Sequence, residues 1–224
     1  MKMTAQGLTK EYARKSGNAN RFTALHPLDF TLETGALTVL MGRSGSGKST
    51  LLNLLAGLMR PTGGTVLAGE TDLFALSDRE LSAFRNAHIG VIPQGQTAIY
   101  SLSVLENVLL PYTLTGSAEG EEIARAKALL ERLDIAGLAD ISPADLSGGE
   151  LRRMAIARAL VRQPEILLAD EPTADLDDEN TATVCKALQA AAGAGAAVLM
   201  VTHESGAEAY ADRMLTMQGG VLSE

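Results

Sequence analysis

The segment GRSGSGKST, residues 42–50, decides the fold of this chain, because of what stands on either side of it. The apolar run ALTVLM (residues 36–41) precedes it, and KSTLLNLLAGLM (residues 48–59) has helical spacing. The segment fits the pattern G-x-x-x-x-G-K-[ST], whose glycines let backbone N–H groups curl around phosphates without Cβ clashes. We therefore predict a strand, a phosphate-binding loop and a helix of the P-loop type.

Each part of this loop has an expected chemical role. The helix N-terminus and the side chain of Lys48 are expected to hold the terminal phosphates of a nucleotide, and Ser49 to ligate Mg²⁺. The predicted nucleotide-binding residues of the loop are Gly42, Arg43, Ser44, Gly45, Ser46, Gly47, Lys48, Ser49 and Thr50. A dinucleotide-binding loop is excluded, because Thr50 stands where that pattern needs Gly or Ala. An ordinary Gly/Ser loop is the alternative, which the flanking strand and helix disfavour.

Composition restricts the class of protein. The chain has 224 residues, of which 46% are hydrophobic and 21% charged, as expected for one globular domain or one domain with an inserted subdomain. Its net charge of −8 opposes broad binding to nucleic acid, so no nucleic-acid partner is expected. The single cysteine, Cys185, allows no intrachain disulfide and is expected to be a small buried side chain.

The sequence predicts a cytoplasmic chain without a membrane span of its own. The N-terminus, MKMTAQGLTKEY, lacks the apolar region of a secretory signal. The most apolar segment, residues 187–201, is shorter than the roughly 20 residues that a span needs. Gly193 and Gly195 interrupt it. Any work at a membrane would therefore go through another chain.

Short apolar runs alternate with longer helical patterns, which predicts an α/β fold with a largely parallel sheet. Residues 88–94, 165–170 and 196–203 are predicted strands that end in polar residues, and these ends should converge on one site. Strands at the two termini, residues 3–9 and 213–222, are expected to complete a mixed sheet. Residues 95–145 are mainly helical in pattern and are predicted to form an inserted helical subdomain within a single domain spanning residues 1–224.

The run ILLADEPT, residues 166–173, ends in adjacent carboxylates with different expected roles. Asp170 is predicted to hold magnesium through water, and Glu171 to orient or deprotonate the attacking water. Two acids at a strand end, taken alone, would favour a solvated turn. The phosphate loop in the same chain favours the functional interpretation instead. His203, which follows another strand, is expected to contact the terminal phosphate. A histidine at the edge of the core is the alternative.

The run DLDDEN, residues 175–180, superficially resembles a calcium loop. It fails as one, because Asn180 stands where that loop needs Gly and Lys186 where it needs Glu. Asp177 or Asp178 as the N-cap of the following helix is the simpler reading.

A second glycine turn, LSGGELRRMAIARAL (residues 146–160), heads a predicted helix. Ser147, Gly148 and Gly149 would make its N-terminus another anion site. Since the first loop already supplies the phosphate contacts on its side of a nucleotide, the second is expected to serve the nucleotide of another copy. Two chains packed head to tail would then bury two ATP molecules as a homodimer. A glycine-containing helix cap is the alternative.

Together these motifs resemble the nucleotide-binding subunit of an ATP-binding cassette (ABC) transporter, over essentially the whole chain. Residues 42–50 resemble its Walker A motif, Gln94 its Q-loop glutamine, LSGGE its signature, ILLADE its Walker B motif, ADLD its D-loop and His203 its switch histidine. The resemblance implies ATP and Mg²⁺ as cofactors, Gln94, Glu171 and His203 as catalytic, and Ser49, Gln94 and Asp170 on the metal side. It also implies nucleotide contacts for Asp177 and for Tyr12, which would stack on adenine. Phe22 is a weaker candidate for that stacking.

Within the family, GRSGSGKSTLLNLLAGLMRPTGGTV and LENVLLPY are most similar to the macrolide-exporter and lipoprotein-release branch of the MacB and LolD type. This implies a transmembrane partner and a peripheral position at the cytoplasmic face of the inner membrane. Pro93 replaces the usual Phe and Leu151 a common Gln, which puts the transported substrate in doubt more than ATP hydrolysis.

Two alternatives share the catalytic motifs. An importer ATPase is one. A non-transport ABC ATPase of chromosome maintenance, repair or translation is the other. It is disfavoured because only about a hundred residues separate Lys48 from Leu146, which leaves no room for a long coiled coil, and because this chain carries a single cassette.

Overall fold

The computed structural model describes residues 1–13, 21–95, 97–116, 118–204 and 206–224. The strands are β1 (Met3–Ala13), β2 (Arg21–Leu32), β3 (Leu37–Met41), β4 (Gly63–Ala68), β5 (Thr71–Asp72), β6 (Ile89–Ile92), β7 (Ile166–Asp170), β8 (Ala197–Thr202), β9 (Arg213–Gln218) and β10 (Val221–Ser223). The α-helices are α1 (Lys48–Leu55), α2 (Asp78–His88), α3 (Val104–Thr113), α4 (Gly120–Arg132), α5 (Gly148–Leu160) and α6 (Asp178–Gly193). Short 3₁₀ turns occupy Ala136–Leu138, Pro143–Asp145 and Ala207–Tyr210.

The central layer is a six-stranded sheet in the order β10-β9-β3-β8-β7-β6. Its pairs are parallel except the C-terminal hairpin of β9 and β10. Every residue of β7 and β8 is buried, which is typical of parallel strands covered on both faces. The carboxyl ends of β3, β6, β7 and β8 lie at one edge, since Met41 pairs with Thr202 and Asp170 with Val201. The predicted α/β fold, its mixed sheet and the convergence of the polar strand ends are confirmed.

The N-terminal strand lies elsewhere than expected. We expected β1 to join the mixed sheet, and that expectation is wrong: β1 belongs to a separate four-stranded antiparallel sheet in the order β2-β1-β4-β5. Strand β1 pairs with β2 along one edge and with β4 along the other. Met3, Ala5 and Leu8 are buried among more exposed neighbours, as in a strand with one covered face.

Two apolar cores lie on opposite faces of the six-stranded sheet. Along β3, Leu37 and Val39 contribute to one core and Leu40 to the other, as the alternation of side chains in a strand requires. The first core packs against α3, α4, α5 and α6, and the second against α1 and the antiparallel sheet. Cys185 belongs to the first core, and its burial raises the pKa of its thiol to about 11, consistent with the expected filler role.

The segment between β6 and α5 is helical, as its pattern predicts. Helix α3 begins after Ser103, whose hydroxyl accepts from the Glu106 N–H while the Glu106 carboxylate accepts from the Ser103 N–H. On α4, Ala126, Leu129 and Leu130 are buried against the first core. That residues 95–145 form a distinct subdomain stays a prediction. Across the described ranges, none of the helices combines the length and apolarity that crossing a membrane takes.

Candidate functional site

The phosphate loop connects β3 to α1, and its glycines are required by close packing. Gly47 precedes the first residue of α1 with φ of 108°, and a Cβ added there would lie 2.5 Å from the Ala24 carbonyl oxygen. A Cβ on Gly42 would lie 2.5 Å from the Met217 carbonyl oxygen. Since no side chain caps α1, its first N–H groups are left for another acceptor. This is the geometry of an anion-binding helix N-terminus.

The side chain of Lys48 curls over this loop. It is buried, and its Nζ donates to the carbonyl oxygens of Gly42 at 2.7 Å and Arg43 at 3.1 Å. An ammonium has three donors, so one remains for a phosphate oxygen. The buried hydroxyl of Ser46 has no hydrogen-bond partner in the described chain. Arg43, Ser44 and Gly45 are exposed, and Ser49 and Thr50 lie half-buried in the first turn of α1.

Asp170, the last residue of β7, is a buried carboxylate without full compensation. Its Oδ1 atom lacks a hydrogen-bond partner among the described residues. Burial raises the pKa of this carboxyl, and the neighbouring charge of Glu171 raises it further, whereas the Ser49 hydroxyl and the Lys48 ammonium oppose the shift. The Asp170 side chain therefore lies beside the phosphate loop, and its partnerless oxygen is suited to bind a cation.

The catalytic candidates meet at Glu171. Its Oε2 accepts from Gln94 Nε2 at 2.9 Å, and its Oε1 lies 2.9 Å from His203 Nδ1. The Glu171 side chain is 14% exposed, against 52% for His203. Gln94 and His203 follow β6 and β8, the neighbours of β7, so the sheet itself brings these three side chains together. The predicted convergence at this edge is confirmed, while the catalytic role stays a prediction.

The second glycine turn is a complete helix cap. The Ser147 N–H and hydroxyl both donate to Glu150 Oε2 at 2.7 Å, and the Glu150 N–H donates to Ser147 Oγ at 3.3 Å. These hydrogen bonds lower the pKa of Glu150. Ser147 and Gly148 are exposed, whereas a Cβ on Gly149 would lie 3.2 Å from Leu176. The cap read as the alternative is thus present, and it leaves the turn open to solvent where another copy would bind.

Two further predicted residues have local partners. Asp177 caps α6, since its Oδ1 accepts from the Asn180 N–H at 2.8 Å. This confirms the simpler reading of that run and leaves its nucleotide contact untested. Tyr12 pairs across strands with Phe22, and both side chains are exposed. The Tyr12 hydroxyl lies 3.1 Å from Met59 Sδ, so stacking of either ring on adenine remains an expectation.

The structure adds a residue to the site that the sequence pattern did not indicate. Arg152 Nη1 donates to the backbone carbonyl of Glu171. Arg158 and Arg162 are likewise half-buried, and each donates to a backbone carbonyl. No motif signals this contact, because it joins positions 19 residues apart through their packing.

Comparisons with known proteins agree with this geometry. The model of the family described as ABC transporter matches residues 25–174. The lipoprotein-releasing system ATP-binding protein LolD of Chromohalobacter salexigens is 37% identical over 99% of this chain and 93% of its own length. The macrolide export ATP-binding/permease protein MacB 2 of Aeromonas hydrophila is 38% identical, over 98% of this chain and 33% of the relative.

An import protein and a solved structure match equally broadly. The methionine import ATP-binding protein MetN of Cereibacter sphaeroides is 40% identical over 99% of this chain and 63% of its own length. The dimeric post-hydrolysis state of the ATP-binding cassette MJ0796, bound to ADP and Pi, superposes with a TM-score of 0.90 at 33% identity. That match covers 99% of this chain and 98% of the cassette.

Proposed function

The chain belongs to the ABC transporter family, and from this premise we propose that it is the ATP-hydrolysing subunit of an export or lipoprotein-release complex, in which two copies close on ATP and drive a membrane partner. The observation that carries the catalytic part is the carboxylate of Glu171, held by Gln94 and His203 at the strand edge that also bears the Lys48 loop.

The residues at this edge suit ATP with Mg²⁺. The partnerless Ser46 hydroxyl and Asp170 Oδ1 are buried polar atoms that a bound nucleotide and its metal would satisfy. Within the described ranges no three His, Cys, Asp or Glu side chains cluster as a metal site. That suits magnesium, which proteins usually hold with one or two side chains plus phosphates. Ser49, Gln94 and Asp170 would hold the ion, which supplies neutralisation of the charge developing on the phosphates.

In this mechanism the chain's own residues position the reactants and move one proton. The loop from Gly42 to Thr50 and the Lys48 ammonium hold the terminal phosphates. Glu171 accepts the proton of the attacking water, because each carboxylate oxygen has one present partner and a second lone pair. His203, more exposed than Glu171, would contact the terminal phosphate and keep Glu171 in position through their 2.9 Å contact.

The second glycine turn would complete the site of the other copy. Ser147 and Gly148 are exposed at the N-terminus of α5, where the helix dipole favours an anion. Glu150 holds the Ser147 hydroxyl in the single chain, so binding a partner's phosphate requires that hydroxyl to change acceptors. The dimeric state of MJ0796, bound to ADP and Pi, supports the assembly of two copies.

The membrane partner is expected at the segment after Gln94. Ile99 and Tyr100 are 40% and 57% exposed there, on a loop that leads from the catalytic edge to α3. Gln96 lies outside the described residues. The likeness to LolD and MacB supports export or lipoprotein release and a peripheral position at the cytoplasmic face of the inner membrane. The equal likeness to MetN keeps an importer as the second candidate.

The test of this function is Glu171→Gln. The amide cannot take a proton, so we expect steady-state ATP hydrolysis to fall on the order of 100-fold or more, with MgATP affinity retained. In the wild type, Tyr100→Cys should crosslink to a co-purified membrane subunit, whose topology separates exporter from importer. Near-normal turnover of the Gln variant, or no crosslink from Tyr100→Cys to the membrane subunit, would contradict the proposal.

A further inference from the structure

Arg152 occupies an unusual position between the two predicted nucleotide contacts of one chain. It lies in α5, five residues after Ser147, and is half-buried. Along the described chain no carboxylate lies within ion-pair distance of its guanidinium, which donates instead to the Glu171 carbonyl. A charged donor makes a stronger hydrogen bond than a neutral one, so this contact holds the carbonyl firmly.

The backbone of Glu171 needs such support. Its φ is 49°, in the left-handed region, which is strained for a residue other than glycine. The Glu171 N–H donates to the Val201 carbonyl at 2.8 Å, and its own carbonyl accepts from the Ala174 N–H at 3.3 Å. The 3.3 Å hydrogen bond from Ala174 alone restrains the Glu171 carbonyl weakly, and the hydrogen bond from Arg152 adds a second restraint on the same carbonyl.

The direction of the Glu171 carboxylate follows from this backbone conformation. Gln94 and His203 meet the carboxylate from neighbouring strands, and both contacts at 2.9 Å depend on where Cα and Cβ stand. A general base acts only within hydrogen-bond reach of its proton, so a displacement of about 1 Å costs on the order of 100-fold in rate.

We propose that Arg152 is a positioning residue for Glu171 and that it connects the Ser147 turn to the catalytic carboxylate of the same chain. The inference rests on the proposed function, in which Glu171 is the general base and Ser147 contacts the partner's nucleotide. Ser147 caps the helix that carries Arg152, and the two residues lie about 7.5 Å apart along its axis. Closure of a partner's nucleotide on the Ser147 turn therefore acts on the chain's own Glu171, which couples the two composite sites.

The test compares Arg152→Met with Arg152→Lys. Methionine keeps an unbranched apolar side chain but has no hydrogen-bond donor, whereas lysine keeps a positively charged donor. We expect the Met variant to lose about tenfold in kcat with KM for ATP within about twofold of wild type, since positioning acts on the chemical step. The Lys variant should recover most of kcat. The Hill coefficient for ATP should fall in the Met variant and return with Lys.

Two controls separate the possible failures. Arg79→Met, an exposed arginine on α2, should leave kcat unchanged. In the Glu171→Gln background, Arg152→Met should still form the ATP-dependent dimer. A wild type without ATPase activity defeats the proposed function itself. An active wild type whose Met variant keeps its kcat, or loses it without recovery by Lys, overturns the role of Arg152.

Discussion

At the scale of single residues, the site keeps polar atoms uncompensated. Asp170 and Ser46 each present a buried oxygen without a partner in the described chain, whereas nearby Glu171 has both carboxylate oxygens engaged. Leaving a buried polar group unpaired costs about 1–3 kcal/mol. These two oxygens lie where the proposed nucleotide and its metal would be held.

Asp170→Asn tests this cost directly. The folded chain raises the pKa of Asp170, so folding favours the protonated form, and the buried carboxylate destabilises the chain once pH exceeds the ordinary value of 3.8. We expect the Asn variant to unfold at higher temperature than wild type at pH 7 without nucleotide, while Mg²⁺-dependent hydrolysis is lost.

The pH dependence of this difference checks its origin. Below pH 3.8 both chains are neutral at this position and should differ little. The advantage of the Asn variant should grow as pH rises from there through the raised pKa and then level off. Melting curves from about pH 3 to pH 8 measure it, and a difference independent of pH would exclude burial of charge as the cause.

At the scale of elements, two helices present their N-termini differently. Helix α1 begins behind Gly47 with no side-chain cap, whereas α5 is capped by Ser147 together with Glu150. The same reciprocal cap of serine and glutamate begins α2 at Ser77 and α3 at Ser103. The uncapped N-terminus of α1 follows the phosphate loop, whereas the cap on α5 fixes the turn that we propose contacts the nucleotide of a partner.

Asn107 fixes the segment that leads out of the catalytic edge. It is fully buried in α3, accepts from the Ile99 N–H at 2.8 Å and donates to the carbonyls of Ile99, Leu102 and Ser103. Asn107→Leu would leave the Ile99 N–H and the Leu102 carbonyl without their partner, whereas the Ile99 and Ser103 carbonyls keep backbone donors. We therefore expect a loss of about 3 kcal/mol in the free energy of unfolding. Denaturation by urea measures the loss.

A matched asparagine supplies the control for this prediction. Among the described residues, the side chain of Asn86 on α2 makes one hydrogen bond, from Nδ2 to the Pro111 carbonyl at 3.1 Å. Asn86→Leu should cost only about 1 kcal/mol, the usual net value of one hydrogen bond. Equal losses for the two variants would show that the Asn107 contacts add nothing beyond an ordinary surface bond.

At the scale of the whole molecule, each predicted nucleotide site needs the Lys48 loop of one copy and the Ser147 turn of another. The Lys48 loop and Glu171 lie at the carboxyl edge of the sheet, and the Ser147 turn caps α5 with its face exposed. With a net charge of −8 on each copy, we expect the chain to be largely monomeric without nucleotide. ATP phosphates between two copies would supply the missing attraction.

Ser147→Arg in the Glu171→Gln background tests this assembly. With MgATP the parent should form a stable dimer, and the bulky side chain should weaken that dimer at least about tenfold by blocking the turn, with nucleotide binding at Lys48 retained. Analytical ultracentrifugation measures the association. Ser77→Arg removes the same type of cap on α2, so it should cost similar stability and leave the dimer intact. Dimerisation of the Ser147 variant as readily as its parent would refute the shared site.

Much of this architecture is determined by the sequence itself. The loop of residues 42–50, the buried strands β6, β7 and β8 and the polar residues that end them follow from local rules: glycine geometry, apolar runs and the shared edge of parallel strands. The caps of α5 and α6 are equally local, because Ser147 and Asp177 bond to backbone only three residues away.

Only the tertiary structure decided three other features. The placement of β1 in the antiparallel sheet depends on its pairing with β2 and β4, which no pattern within β1 encodes. The unpaired oxygen of Asp170 follows from burial by several elements at once. The contact of Arg152 with the strained backbone of Glu171 joins a helix to the end of a strand. Such contacts arise from packing between segments distant in sequence, so local periodicity and motif spacing carry no record of them.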